Sequence, residues 1–177
     1  MIILMGVAGS GKSVQGRLLA DEYGYPWLSS GNFLRMLVSG ERRRAMLEGK
    51  LLDDSEIITL IQKIFSIIDV KNEFVLDGFP RTTQQAEWLL SQVKARQLNL
   101  TAVIHIVIDE SVVRKRLIER GRPDDNDGSI AERFREYNTS TVPIIKLFEQ
   151  NGITVYEIDG NQSVAGVHAE IVRVFKG

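Results

Sequence analysis

The sequence predicts an α/β fold, a central parallel five-stranded sheet flanked by helices in three layers. Three observations predict it. Short apolar runs alternate with helical patterns along the whole chain, which favours a parallel sheet covered on both faces. The 177 residues suffice for one such core with small excursions. The first strand runs into a glycine-rich stretch, Gly6-Val7-Ala8-Gly9-Ser10-Gly11-Lys12-Ser13, and a helical pattern follows at once. That stretch fits G-x-x-x-x-G-K-[ST], the phosphate-binding loop, so the fold expected is a P-loop fold.

Taken in order, Ile2–Met5 reads as a buried strand, and Val14–Tyr23 as a helix with Val14, Leu18 and Leu19 at helical spacing. Trp27–Ser29 is the second strand. Ser55–Ile68 carries Ile57, Ile58, Leu60, Ile61, Ile64, Phe65 and Ile68, a broad buried helical face. Phe74–Asp77, Val103–Ile108 and Thr154–Ile158 complete the strands. Thr83–Arg96, Ser111–Arg120 and Ser129–Gln150 read as more amphipathic helices, the last of which Pro143 should kink or divide. Ser163–Phe175 closes the chain. No repeat or low-complexity linker interrupts the series. Ligands of open α/β sheets sit beyond the carboxyl ends of the strands. The chemistry is therefore expected in the glycine loop, Ser29-Ser30-Gly31-Asn32, Asp77-Gly78-Phe79-Pro80-Arg81 and Asp159-Gly160-Asn161.

Composition narrows the function classes. A net charge of −1 offers no global attraction to nucleic acid or an anionic membrane. The absence of cysteine excludes disulfides, thiolate catalysis and Cys-based zinc sites. The apolar runs are far shorter than a membrane span, and Met1 leads into the first strand without a signal peptide. A cytoplasmic protein is the expectation. Nothing reads as an obligate apolar interface, so a monomer is expected.

The glycine loop has a physical logic. A polyphosphate loses water on binding, and the unpaired N–H groups at a helix N-terminus, with the helix dipole, replace it. Glycines let the backbone curl around phosphate oxygens. Lys12 should reach the β- and γ-phosphates, and the Ser13 hydroxyl should sit on Mg²⁺. The second constellation is Phe74-Val75-Leu76-Asp77-Gly78-Phe79-Pro80-Arg81-Thr82. An acidic residue ending a strand beside a P-loop can hold Mg²⁺ directly or through water. Arg81 offers a planar fork suited to phosphate, although a solvated arginine at a strand-to-helix turn would read the same way.

The order of these fragments resembles the nucleoside monophosphate kinases and, within them, the adenylate kinase family. The resemblance runs over nearly the whole chain. It comprises the P-loop, Ser29-Ser30-Gly31-Asn32-Phe33-Leu34-Arg35, Glu48-Gly49-Lys50-Leu51-Leu52, and Asp77-Gly78-Phe79-Pro80-Arg81 with Gln85. Arg116, Arg120, Gly121-Arg122-Pro123-Asp124-Asp125-Asn126, Arg133 and Asp159-Gly160 complete it. It implies one kinase domain with a core of residues 1–29, 53–120 and 131–177, an acceptor-binding arm of residues 30–52 and a lid of residues 121–130. Arm and lid are both shorter than in the usual bacterial form, and the lid is too short for a zinc site.

The resemblance also implies roles. Gly9, Ser10, Gly11, Lys12, Ser13 and Val14 would hold ATP, with Arg116 stacked on the donor adenine and Asn161 nearby. Ser30, Arg35, Gly49, Leu51, Gly78, Arg81 and Gln85 would form the AMP site. Arg120, Arg122 and Arg133 would close with Lys12 on the phosphates, Arg122 and Arg133 reaching the acceptor as well. Asp124 and Asp125 would fasten arginines or the donor ribose on closure. Mg²⁺ would be held by Ser13 and, through water, by Asp77. Gln85 stands where adenylate kinases carry a glutamine that reads the adenine edge, since a side-chain amide donates and accepts in one plane. Ser30 and Asn32 replace the family's usual threonine and aspartate, and Asn32 removes a charge near the metal.

The implied reaction is MgATP + AMP ⇌ 2 ADP, by direct transfer. Two alternatives stay open on the sequence: a kinase for another small acceptor such as UMP, CMP or a sugar acid, and a non-catalytic nucleotide-binding module. Several residues take plainer readings. Arg114, Lys115, Arg116, Arg120 and Arg122 alone would be a solvated basic helix face, and Arg42-Arg43-Arg44 is read as solvated. His105 is a strand histidine, His168 has no partner in sequence, and Trp27 and Trp88 are packing residues.

Overall fold

The structure, a computed structural model, describes residues 1–176. The strands are β1 (Ile2–Met5), β2 (Trp27–Ser29), β3 (Val75–Asp77), β4 (Ala102–Val107) and β5 (Val155–Asp159). All pair in parallel, in the order β2-β3-β1-β4-β5. Each lies within a residue or two of the stretch that its apolar run predicts. β1 is central: Leu4 stands beside Asp77 on one side and Ile104 on the other. The order turns back at β1, so the crevice beyond its carboxyl end is the switch point at which such sheets bind ligands.

Strand side chains alternate between faces, and β1 is apolar on both. Ile3 and Met5 join Phe74 and Leu76 against helices α4 (Asp54–Phe65), α5 (Thr83–Lys94) and α8 (Val142–Gln150), through Ile57, Ile61, Leu89, Ile144 and Phe148. Ile2 and Leu4 join Val75, Ile104 and Ile106 against α1 (Lys12–Tyr23) and α9 (Val164–Lys176), through Leu19, Val167 and Ile171. A third cluster, Val7, Val113, Leu117 and Ile130, seats the glycine loop on α6 (Glu110–Arg120) and α7 (Asp127–Glu136). Burial of side chains this size contributes roughly 1.5–3 kcal/mol each. The floor of the crevice is therefore part of the core. Among the described residues, no helix is long and apolar enough to cross a membrane.

Local signals explain where helices begin. The Asp53 carboxylate accepts from the backbone N–H of Ser55 and Glu56 at 2.9 and 3.3 Å and caps α4. Thr82 caps α5, and Asn126 caps α7 through the Ser129 N–H at 3.0 Å. Because α7 starts at Asp127, the segment expected as a lid is a short loop joined to the first turn of a helix. The segment expected as the arm is two short helices, α2 (Ser30–Leu37) and α3 (Gly40–Leu47), and α3 has no buried residue.

The division expected at Pro143 takes a specific form. Between α7 and α8, residues Tyr137–Thr141 form a π-helical segment, where the Val142 N–H donates to the Tyr137 carbonyl five residues back. Pro143 then lies in the first turn of α8. Proline has no N–H and its ring crowds the carbonyl four residues before it. Widening the turn to π geometry relieves that crowding without ending the helix.

Two plainer expectations gain detail. Trp88 packs between Phe65 and Phe79, whereas Trp27 also carries the Arg17 guanidinium over its ring at 4.7 Å. His168 finds partners across the α1/α9 seam: Gln15 at 3.0 Å and Glu22 at 2.8 Å.

Candidate active site

The P-loop closes β1 and opens α1. Gly11 sits at the helix N-cap with φ +104°, a backbone shape that side chains rarely adopt, and a Cβ there would meet nothing within 4 Å. Lys12 folds back and donates to the Gly6 and Val7 carbonyls, both at 2.8 Å. Burial, with Arg81, Arg120 and Arg133 nearby, pushes its ammonium down to about 8, against the opposing pull of Asp77. The Ser13 hydroxyl donates to Asp77 Oδ2 at 2.6 Å, and Asp77 is buried at the end of β3.

The side expected to take the acceptor grows from the end of β3. Ser30 Oγ donates to the Gly78 carbonyl at 2.6 Å, which ties α2 to the turn. The same carbonyl accepts from Arg81 Nε at 2.8 Å. Burial pushes the Arg81 guanidinium below its usual range, helped by Arg35 and Arg133 and opposed by Asp77. The Phe79–Pro80 peptide is cis. Gln85 is buried on α5; its Oε1 accepts from the Arg81 N–H at 2.8 Å, and its Nε2 donates to Asp54 Oδ1 at 2.7 Å. From the π segment, Thr141 Oγ1 donates to the Arg81 carbonyl at 3.0 Å.

The segment expected as the lid, with Arg120 and Arg133 on either side, closes the third side. Arg133 donates to both acidic residues: Nη2 to Asp124, and Nη1 to Asp125 Oδ1 at 3.1 Å. Asp125 also takes a two-pronged contact from Arg120, at 2.8 and 2.6 Å, and the Arg122 N–H at 3.2 Å. These bonds outweigh burial and hold its carboxyl below the usual range. Asp124 is buried and also lies 3.5 Å from Arg35 Nη2, while a second Arg35 nitrogen donates to the Gly31 carbonyl at 3.1 Å. Burial, with Arg120 and Arg35, lowers the Arg122 guanidinium.

The segments expected as arm and lid also touch. Ser129 Oγ donates to the Leu47 carbonyl at 2.8 Å. Gly49, at φ +91°, lies so close that a Cβ would meet the Ser129 carbonyl at 2.7 Å. Here the glycine is required by close approach of two backbones rather than by a phosphate.

One cleft unites nine of the expected residues, among them every residue expected at the acceptor except Arg122. Lys12, Ser30, Arg35, Gly49, Leu51, Gly78, Arg81, Gln85 and Arg133 all line it. The cleft is concave and opens to solvent at its mouth. Arg116 and Asn161 lie outside it, together at the end of β5. Arg116 donates to the Gln162 carbonyl at 3.4 Å, and Asn161 Oδ1 accepts from the Asp109 N–H at 3.1 Å. Arg120, Arg122, Asp124 and Asp125 stand above the cleft rather than in its lining, linked to it through Arg133 and Arg35. Val14 is exposed at the first turn of α1.

The basic stretch of α6 is broken up by acids. Arg114 pairs with Asp127 and Glu110, and Lys115 approaches Glu119 at 4.0 Å. Two of the three consecutive arginines in the arm are tethered rather than merely solvated: Arg42 pairs with Glu56 at 2.6 Å, and Arg43 donates to the Arg35 carbonyl at 2.9 Å.

Sequence reasoning missed Asp54, Tyr137 and Thr141. Tyr137 lines the cleft and bonds His105 of β4, and burial, with Glu157, pushes the phenol up to about 12. Burial lowers the His105 imidazole, against the pull of Glu157. The one available signal was Pro143, which marks the π segment that carries Tyr137 and Thr141.

Comparison with known proteins agrees with this geometry. The family model described as "Adenylate kinase" matches residues 4–153. An adenylate kinase of Hyphomonas neptunium is 35% identical, over 99% of this chain and 97% of that protein. One of Bartonella quintana is 33% identical over the same shares, and one of Archaeoglobus fulgidus 29%.

Proposed function

The chain belongs to the adenylate kinase family, and on that premise we propose that it transfers the γ-phosphoryl group of MgATP reversibly to AMP, giving two ADP. One observation carries the reading: Lys12, Arg35, Arg81 and Arg133 converge on a single cleft at the carboxyl edge of the sheet. Four cations around one space suit two phosphate chains held end to end, which bare of counter-charge would repel.

Phosphoryl transfer demands alignment and charge neutralisation more than covalent chemistry. Arg35 and Arg81 grip the acceptor phosphate. Lys12, Arg120, Arg122 and Arg133 stabilise the group in flight, which passes directly from donor to acceptor. The lid carboxylates Asp124 and Asp125 hold these guanidinium groups in place, and phosphate oxygens exchange for them as substrates enter. Lys12 gives up its bonds to the Gly6 and Val7 carbonyls in the same exchange. Ser13 and Asp77, an all-oxygen pair 2.6 Å apart, suit a hard cation, with Asp77 acting through water. Mg²⁺ bound there supplies further neutralisation of the phosphate charge. Arg116 stacks on the donor adenine beside Asn161. Gln85 reads the acceptor base, with Gly49 and Leu51 lining its pocket.

The test is transfer from MgATP to AMP, GMP, CMP, UMP and gluconate, with products separated and counted. ADP formation that depends on AMP is the expected result. Preference for CMP or UMP would overturn the acceptor, and ATP binding without any transfer would overturn catalysis.

A further inference from the structure

A side-chain amide has two faces related by a half-turn, and each presents donor and acceptor in opposite order. Which face Gln85 shows decides which base edge it can read. Two neighbours of opposite character settle that choice. Asp54, the first residue of α4, offers a carboxylate, which only accepts; it takes the Gln85 Nε2–H at 2.7 Å. The Arg81 backbone N–H only donates; it gives to Gln85 Oε1 at 2.8 Å. A flipped amide would set oxygen against carboxylate and N–H against N–H, and lose both bonds inside a buried site. Groups left unpaired there are costly. One hydrogen on Nε2 and one lone pair on Oε1 stay available to a ligand.

We infer that Asp54 is a specificity-determining positioning residue: by locking the Gln85 amide in one orientation, it makes the acceptor site select 6-amino over 6-oxo purine monophosphates. The inference rests on the acceptor assignment above. Adenine carries an N–H donor at position 6 and an acceptor at N1, which match Oε1 and Nε2. Hypoxanthine carries an acceptor at position 6 and a donor at N1, the reverse order. To read it, the amide must flip against both of its partners. In Asp54→Asn the carboxylate becomes an amide that donates or accepts as required, so one of the two locks is released.

The experiment compares kcat/KM for AMP and inosine monophosphate, at saturating MgATP, in the wild type and Asp54→Asn, with KM for ATP and thermal melting as controls. The wild type should favour AMP by at least ~100-fold, as sites built on fixed hydrogen bonds do. In Asp54→Asn that ratio should fall by ~10-fold or more, while KM for ATP stays within about twofold of the wild type. An unchanged AMP/IMP ratio in a folded Asp54→Asn overturns the role of Asp54. Asp54→Ser, whose hydroxyl also donates and accepts, carries the same expectation should the asparagine variant fail to fold. A wild type that uses both purines equally overturns the inference without any variant. A wild type that phosphorylates neither but accepts CMP or UMP overturns the acceptor assignment itself, a separate and recognisable result.

Discussion

The side of the cleft proposed for the donor is built from backbone, and the side proposed for acceptor and lid from side chains. On the donor side, the glycine loop is continuous with β1 and seated on Val113 and Leu117, so its N–H groups are placed by the core. On the other side, Arg35, Arg120 and Arg133, on α2, α6 and α7, are held by Asp124 and Asp125 on the loop between α6 and α7. Backbone donors fixed by a sheet cannot adapt, and they suit the part of a nucleotide that never changes. Guanidinium groups held by carboxylates, under the proposed function, can exchange partners as phosphates arrive and leave. The division follows from what each side must do during a turnover.

That comparison can be tested at each end. The largest effect is expected at Lys12, the cation carried by the glycine loop itself. Lys12→Met should lower kcat by at least ~10³-fold while the fold persists, in a steady-state assay with circular dichroism alongside. Undiminished turnover would remove the P-loop from the mechanism. On the side-chain half, Arg133→Met should lower kcat by roughly 10²–10³-fold. It should also destabilise the fold by about 3 kcal/mol, because Asp124 is buried and loses its close partner. Asp124→Asn added to Arg133→Met should restore much of the stability and none of the rate. Recovery of both would make the arginine a structural strut only.

The smallest effect is a pH dependence that belongs to the donor side. Lys12, facing Asp77, Arg81, Arg120 and Arg133, has its ammonium pushed from 10.5 to about 8 in the fold. Between these values the unfolded chain binds the extra proton, so this site adds stability as pH rises from about 8 to 10.5 and subtracts it below about 8. Lys12→Met should therefore melt a few degrees higher than the wild type near pH 7, with the gain fading by about pH 10.5. ATP affinity should move the opposite way. It weakens by about twofold at pH 8 and up to ~10-fold at pH 9 as the ammonium is lost, measured by calorimetric titration. Flat affinity across that range would mean that Lys12 keeps its charge.

How far the sequence could be read follows the same division. The strands, the P-loop and the turn from Asp77 to Arg81 are contiguous, and their physics is local: apolar alternation, a glycine turn, a helix start. They were legible. The Ser13–Asp77 contact spans 64 positions, yet strand order brings the ends of β1 and β3 together, so it too could be anticipated. The Asp54–Gln85 bond could not. It depends on how α4 meets α5, and an aspartate just after a capping aspartate reads as more of the cap. Nor could the π segment, because proline announces a disturbance without saying whether the helix kinks, ends or widens. The pairing of His105 with Tyr137 was hidden because it joins a strand to that same segment.

The Ser129–Leu47 bond, with Gly49 lying against Ser129, also has a meaning in entropy. Two flaps that close separately each lose their freedom in full. Here the segment that ends α3 and the segment that opens α7 share a contact, so the disorder removed from one is partly disorder already removed from the other. If the two segments act as the proposed arm and lid, they form one thermodynamic element, and ordering by one nucleotide leaves less to order for the next.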